Sequence, residues 1–184
     1  DAYVRLRSKT GSSPIRLEVA GYTAPDYRDY MAGIERMIEE AGLSSEFSYR
    51  GVLDLEGKLG FLQGLDVLSV PATYDEPKGM FLLEAMANGV PVVQPRRGAF
   101  TEIVEKTGGG LLVEPDDPQS LADELYNLWQ DRSRVASLVE RAYREVRKHY
   151  TVGHSASRLL DVYEDVLTAC HGSFMGHSRT VAGD

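Results

Sequence analysis

Short apolar runs alternate along this chain with longer segments in which apolar residues recur every three or four positions. Residues 15–20 (IRLEVA), 47–51 (FSYRG), 66–70 (DVLSV), 91–94 (PVVQ) and 111–113 (LLV) are short and β-rich, bounded by glycine, proline or charged residues. Residues 26–41 carry Tyr27, Tyr30, Met31, Ile34, Met37 and Ile38 as the apolar positions of an amphipathic helix, with Gly42 as its stop. Shorter helices are predicted over 55–62, from Gly79 to the Asn88-Gly89 stop, and over 99–105. Longer helices are predicted over 118–130, opened by Pro118, then over 133–149 and 153–168. Residues 1–9 read as the end of an amphipathic helix, with Ala2, Tyr3 and Leu6 on one face and Arg5, Arg7 and Lys9 suited to a helix C-terminus. Nothing caps its start, which points to a chain that begins inside a larger protein. The small, polar residues 171–184 are expected to be disordered.

Strands that alternate with helices predict an α/β fold, a parallel sheet with helices on both faces. One domain is expected over residues 1–169, followed by a tail over 170–184. Sheets of this kind bind ligands outside the carboxyl ends of their strands. The loops after Ala20, Gly51, Val70, Gln94 and Val113 are therefore the places to look.

Of the 184 residues, 42% are hydrophobic and 26% charged, an ordinary globular balance that allows a real core. The net charge of −8 repels a phosphate backbone at long range and argues against a nucleic-acid partner. It leaves a nucleotide ligand open, because a local cleft lined by N–H groups can still hold phosphate. No apolar run approaches the roughly 20 residues that span a bilayer, and no signal peptide opens the chain. The single Cys170 rules out an internal disulfide and suits a reducing, cytoplasmic setting. Cys170, His171 and His177 are too few and too irregular for a closed zinc site, so neither a metal nor a cofactor is expected. The glycines at 108–110 precede a strand rather than a helix and make no dinucleotide fingerprint.

The loop after Val70 is the most informative segment: PATYDEPKGMFLLEAMANGVPVV. Gly79 lets the backbone approach a ligand closely. The N–H groups of Met80 and Phe81 open the following helix, and such a start attracts anions and polar oxygens. Glu76 lies just ahead of it, and Glu84 lies within it among Phe81, Leu82, Leu83, Ala85 and Met86, where an unpartnered carboxylate is costly to bury. Two carboxylates flanking a glycine helix start suit a polyhydroxylated ligand, since each charge-assisted hydrogen bond contributes roughly 1.5–3 kcal/mol.

Glu76, seven residues, Glu84 and then Ala-Met-Ala-Asn-Gly-Val-Pro-Val-Val resemble the signature of the large retaining GT-B glycosyltransferase family, "glycosyl transferases group 1". The resemblance extends to LEVAG (17–21), YRG (49–51), DVLSVP (66–71), TEIV (101–104), GLLVEPD (110–116) and Leu121-Ala122, all in family order, and covers about residues 1–167. It implies the C-terminal, Rossmann-like half of a GT-B fold with its first strand missing. It also implies a nucleotide diphospho-sugar as donor substrate, metal-independent transfer of a hexosyl group with retention, and front-face attack assisted by the departing diphosphate. By the same resemblance Glu84 holds the ribose hydroxyls and Glu76 contacts the donor sugar near the reacting carbon. Backbone N–H groups of Gly79, Met80 and Phe81 contact sugar hydroxyls. Gly51, Val52 and Leu53 hold the nucleobase, and the loop at Gly21 completes the nucleotide site.

This chain departs from that pattern twice. Lys78 stands where an aromatic residue is common, and it could reach the donor phosphates or an acidic sugar. The family's phosphate-binding Arg and Lys, and the N-terminal acceptor-binding domain, precede the first residue here. Without them the leaving group lacks its main stabiliser, so these residues alone are expected to transfer little or nothing. The absent domain leaves room for peripheral membrane association. Two other readings stand beside the enzyme: a non-catalytic nucleotide-binding module, and a subunit that needs a separate acceptor-domain chain.

Each candidate also has a plain structural reading. Glu76 could be a solvated loop carboxylate, Glu84 a residue on a polar helix stripe, and Lys78 an exposed lysine. Arg96 and Arg97 read first as a solvated turn that Gly98 allows, and second as ligands for phosphate or an acidic acceptor. On the last helix Tyr163, Val166 and Leu167 form an apolar face that would meet the absent domain.

Overall fold

A computed structural model describes residues 1–175 of the chain. Helix α1 (Ala2–Thr10) leads to β1 (Leu17–Val19), α2 (Arg28–Glu40), β2 (Phe47–Tyr49) and α3 (Leu55–Gln63). After the site loop come α4 (Met80–Ala87), β3 (Val92–Pro95), α5 (Gly98–Thr107), β4 (Gly110–Val113), α6 (Pro118–Gln130), α7 (Arg132–His149) and α8 (Val152–Met175). Both strand pairs are parallel, as the alternation of strands and helices requires: Leu17 lies opposite Phe47, and Val92 opposite Gly110. Among the described residues, no hydrogen-bonded strand joins the two pairs into one sheet.

The strand expected over 66–70 is reduced to one bridge between Leu68 and Val92. Leu68 donates to the Pro91 carbonyl and accepts from the Val93 N–H, both at 3.0 Å. A continuing ladder would next need a donor from Pro95, which has no N–H. The fully buried Gln94 side chain takes over instead, its Oε1 accepting the Val70 N–H at 3.1 Å.

The core lies where β3 and β4 meet their helices. Leu82, Ala85 and Met86 of α4, Val92 and Val93 of β3, and Phe100 of α5 are fully buried. Val93 and Val113 pack with Leu121, Leu128 and Leu138 from α6 and α7. Close approach here demands glycine: a Cβ at Gly109 would sit 2.5 Å from the Ala142 Cα of α7, and one at Gly110 would sit 2.5 Å from the Val92 carbonyl oxygen. The β1–β2 side is more lightly packed. On α2 only Ile38 is buried, with Met31 and Ile34 half-buried beside it on the same face. Tyr27, Tyr30 and Met37, expected among the apolar positions, stand exposed. Polar contacts anchor α1: Arg7 grips both oxygens of Glu46 at 2.5 and 2.9 Å, and Lys9 pairs with Asp123 of α6.

The chain divides into two compact units, residues 1–146 and a second beginning at Arg147. Helix α8 continues to Met175, through the start of the stretch expected to be a disordered tail. His177 and the side chains of Cys170 and His171 lie outside the described residues. Among the described residues no helix is long and apolar enough to cross a membrane.

The glycine geometry yields a stability test. Gly109→Ala is expected to lower the unfolding free energy in denaturant by roughly 1–3 kcal/mol or more, because the rigid α7 backbone must shift. Gly60→Ala, in the interior of α3 with nothing within 4 Å of its added Cβ, should instead raise stability by up to about 1 kcal/mol.

Candidate functional site

Glu76 turns back on its own loop. Its Oε1 accepts the N–H groups of Lys78 and Gly79, both at 3.0 Å, and its Oε2 lies 3.5 Å from the Tyr74 hydroxyl. The Gly79 N–H, then that of Lys78, hold the carboxyl below the ordinary glutamate range. Gly79 adopts a left-handed conformation (φ +62°), and a Cβ there would come within 2.9 Å of Ile103 on α5. Only glycine meets both demands. The Gly79 N–H is thus occupied by Glu76 and is not a free donor, contrary to the expectation for that residue. Met80 and Phe81 begin α4, and their N–H groups have no acceptor among the described residues. The Phe81 ring packs edge-on against Phe100, with centroids 5.7 Å apart.

The start of α5 holds the Glu76 backbone. The Ala99 N–H donates to the Glu76 carbonyl at 2.8 Å. Gly98, at φ +49°, lies so close that a Cβ would sit 2.6 Å from that carbonyl oxygen and 2.8 Å from the Glu76 nitrogen. Arg97 completes the strap. Its side chain is only 17% exposed, and its fork donates to both oxygens of Asp116, at 2.5 and 3.3 Å, and to the Ala72 carbonyl at 3.3 Å. This corrects the reading of Arg97 as a solvated turn residue, and its occupied fork leaves it poorly placed as a phosphate ligand. Asp116 takes up the partner position at φ +56°, the only positive φ outside glycine among the described residues. Arg96 fits the solvated reading, pairing at the surface with Glu105 at 2.6 Å.

Glu84 stands about a turn and a half into α4. Its Oε1 accepts from the Lys58 Nζ of α3 at 2.7 Å, so it is not a bare carboxylate on a polar stripe. The loop after β2 leads directly to that lysine. Gly51 (φ +64°), exposed Val52 and half-buried Leu53 precede Asp54, whose carboxylate caps α3 by accepting the Gly57 N–H at 2.8 Å. The loops after β1 and β2 are tied together, since the Gly21 N–H donates to the Gly51 carbonyl at 2.9 Å and the Tyr49 hydroxyl to the Gly21 carbonyl at 2.7 Å. Lys78 is exposed, and its backbone N–H serves Glu76. An open groove of about 340 Å³ runs along α3 past Gly57, Gly60 and Phe61, and of the candidate residues it touches Leu53 alone. Among the described residues no three His, Cys, Asp or Glu side chains are grouped to hold a metal ion.

Two clusters therefore emerge. Glu76, Lys78, Gly79, Met80 and Phe81 surround the start of α4, while Gly21 and Gly51 meet at the ends of β1 and β2. Lys58, Gly98 and Asp116 were not singled out as site residues by sequence reasoning. A glycine between a strand and a helix start was a usable signal for Gly98. A lysine on an amphipathic helix carries no such signal.

Comparison with known proteins places the chain, rather than its individual site residues, in a family. The profile for "Glycosyl transferases group 1" matches residues 1–145. A D-inositol 3-phosphate glycosyltransferase from Corynebacterium urealyticum is 30% identical over 155 residues, covering 84% of this chain and 36% of the relative. Among solved structures, the C-terminal domain of the group 1 glycosyl transferase LpcC from Francisella tularensis aligns with a TM-score of 0.73 at 25% identity, covering 82% of this chain and 78% of that one. HepE from Anabaena, solved in complex with UDP and glucose, aligns with a TM-score of 0.77 at 21% identity over 89% of this chain and 44% of that one. The chain spans roughly two fifths of the length of the first curated relatives it matches.

Glu76 offers a titration test. A carboxyl pKa lowered on folding stabilises the loop above the ordinary glutamate range, and this contribution is lost as pH falls through the lowered value. A carbon-detected NMR titration should therefore find Glu76 ionising below an ordinary glutamate. Gly98→Ala, which displaces the Glu76 backbone, should move it back up. An unmoved Glu76 in that variant would show that the strap does not position it.

Proposed function

The chain belongs to the glycosyl transferases group 1 family, and from that premise we propose that it is the donor-binding half of a retaining glycosyltransferase that uses a nucleotide diphospho-sugar. The observation that carries this reading is the start of α4. There a carboxylate is pinned by two backbone N–H groups while the next two, at Met80 and Phe81, remain open beside it. The pinned Glu76 stays ionised and presents negative charge to the positive charge that develops at the sugar's reacting carbon. Its Oε2, whose one hydrogen-bond partner among the described residues is Tyr74 at 3.5 Å, is the oxygen left to accept from a sugar hydroxyl. The N–H groups of Met80 and Phe81 donate to sugar oxygens, and exposed Lys78 supplies a cation for the diphosphate or for an acidic sugar.

On this reading Glu84 accepts from the ribose hydroxyls, and the tied loops at Gly21 and at Gly51, Val52 and Leu53 hold the nucleoside. HepE, whose structure contains UDP and glucose, shares the fold over most of this chain and supports a nucleotide-sugar donor. Sugar transfer proceeds on the front face of the donor, with the departing diphosphate assisting and without a metal ion. The acceptor site, and the cations that complete the diphosphate site, belong to a further domain. A chain that spans about two fifths of its relatives supports that division. The cytoplasm, where a lone cysteine stays reduced, is the proposed compartment.

Kinetics of the full-length protein test the two glutamates. Glu84→Ala is expected to weaken donor binding by roughly 10–100-fold, the loss of one strong hydrogen-bond pair. Glu76→Ala should mainly lower kcat, by about 100-fold or more. The product anomer, read by NMR, should keep the donor's configuration. Unchanged kinetics in both variants, or an inverted product, would overturn the proposal.

A further inference from the structure

Lys58 lies in neither the family motif nor the loops expected to hold the nucleotide, yet its ammonium meets Glu84 at 2.7 Å. Both side chains are about two-fifths exposed, at 42% and 39%. An ion pair at that exposure contributes only about 0–1 kcal/mol to stability, so stability alone gives it little purpose. Its geometry is more informative. Lys58 occupies Oε1 of Glu84, and Oε2 takes no hydrogen bond among the described residues. The arrangement is braced from both ends. Asp54 caps α3 one turn before Lys58 and accepts the Lys58 backbone N–H through its carbonyl at 2.8 Å. Further along, Gln63 Nε2 donates to Asn88 Oδ1 at 3.3 Å, while Asn88 Nδ2 donates to the Glu84 carbonyl at 2.9 Å. A polar seam thus joins α3 to the end of α4 at Gln63 and Asn88 as well as at the pair, while the Asp54 cap orders the start of α3.

We infer that Lys58 is a positioning residue for nucleotide recognition: it fixes the plane of the Glu84 carboxylate so that Oε2 faces the ribose and selects for the 2′-hydroxyl. The inference rests on the proposed ribose role of Glu84. A glutamate at a helix flank otherwise samples several rotamers, and a free carboxylate loses hydration when a nucleoside covers it. One ammonium on Oε1 limits the first effect by holding the rotamer and the second by supplying a counter-charge. Glu84 is the only charged residue of α4, so no neighbour on its own helix can substitute.

The test separates the two levels of the argument. Calorimetry on the full chain first finds the tightest of UDP, GDP and ADP, which is then compared with its 2′-deoxy counterpart. The wild type should prefer the ribonucleotide by about 10-fold, the worth of one good hydrogen bond. Lys58→Met should cut that preference at least about 3-fold and Lys58→Arg should retain it, on the scale of a partly lost hydrogen bond. Glu84→Gln should remove it. If Lys58→Met weakens both nucleotides equally and the preference survives, Lys58 is an ordinary ligand contact or a structural residue, and the inference is overturned. Loss of preference in Glu84→Gln with none in Lys58→Met also overturns it. A preference that survives Glu84→Gln overturns the ribose assignment itself.

Discussion

The site depends on one constraint: the Glu76 carboxylate is fixed by the N–H groups of Lys78 and Gly79 while its backbone is clamped by the start of α5. Each part makes the next possible. Gly79 must be left-handed to turn the chain from the Glu76 loop into α4, and it must lack a Cβ to lie against Ile103. Gly98 must lack a Cβ to lie against the Glu76 backbone. The Arg97 fork then joins the site loop at Ala72 to the loop after β4 at Asp116. Glu76 takes up two N–H groups of the loop and leaves the next two, at Met80 and Phe81, without an acceptor among the described residues. In the proposed enzyme a single helix start thereby serves both stability and recognition.

Charges that suggest phosphate binding in the sequence are mostly committed elsewhere in the fold. Arg96 and Arg97 pair with Glu105 and Asp116. Lys78 is the cation at the site loop whose side chain projects from the surface without such a pairing among the described residues. This distribution agrees with a net charge of −8. In the proposed enzyme, anion recognition rests on backbone N–H groups more than on a basic patch, and a domain carrying further cations completes the diphosphate site.

Much of this was legible in the sequence, for physical reasons. Strand and helix periodicities differ, so the order of elements could be read directly, and Asn88-Gly89 and Pro118 marked helix ends. Glu76 and Glu84 stood out because carboxylates are unusual beside a glycine start and inside so apolar a helix. Features that depend on two distant segments were not legible. The strand over 66–70 shrank to a bridge because Pro95, far along the chain, lacks the donor a ladder needs. Tyr27 and Tyr30 looked like core residues by spacing, but the lightly packed β1–β2 side leaves them in solvent. The partners of Arg97 and Lys58 lie 19 and 26 positions away in sequence, and local pattern does not encode such pairings.

Amide NMR of the full chain during titration with a nucleotide sugar such as UDP-glucose tests the central claim most directly. If the start of α4 is the donor site, the Met80 and Phe81 amides should shift together and saturably, and Glu84 should shift with them on the same binding curve. Saturable shifts confined to the groove along α3, around Gly60 and Phe61, with Met80, Phe81 and Glu84 unmoved, would contradict it.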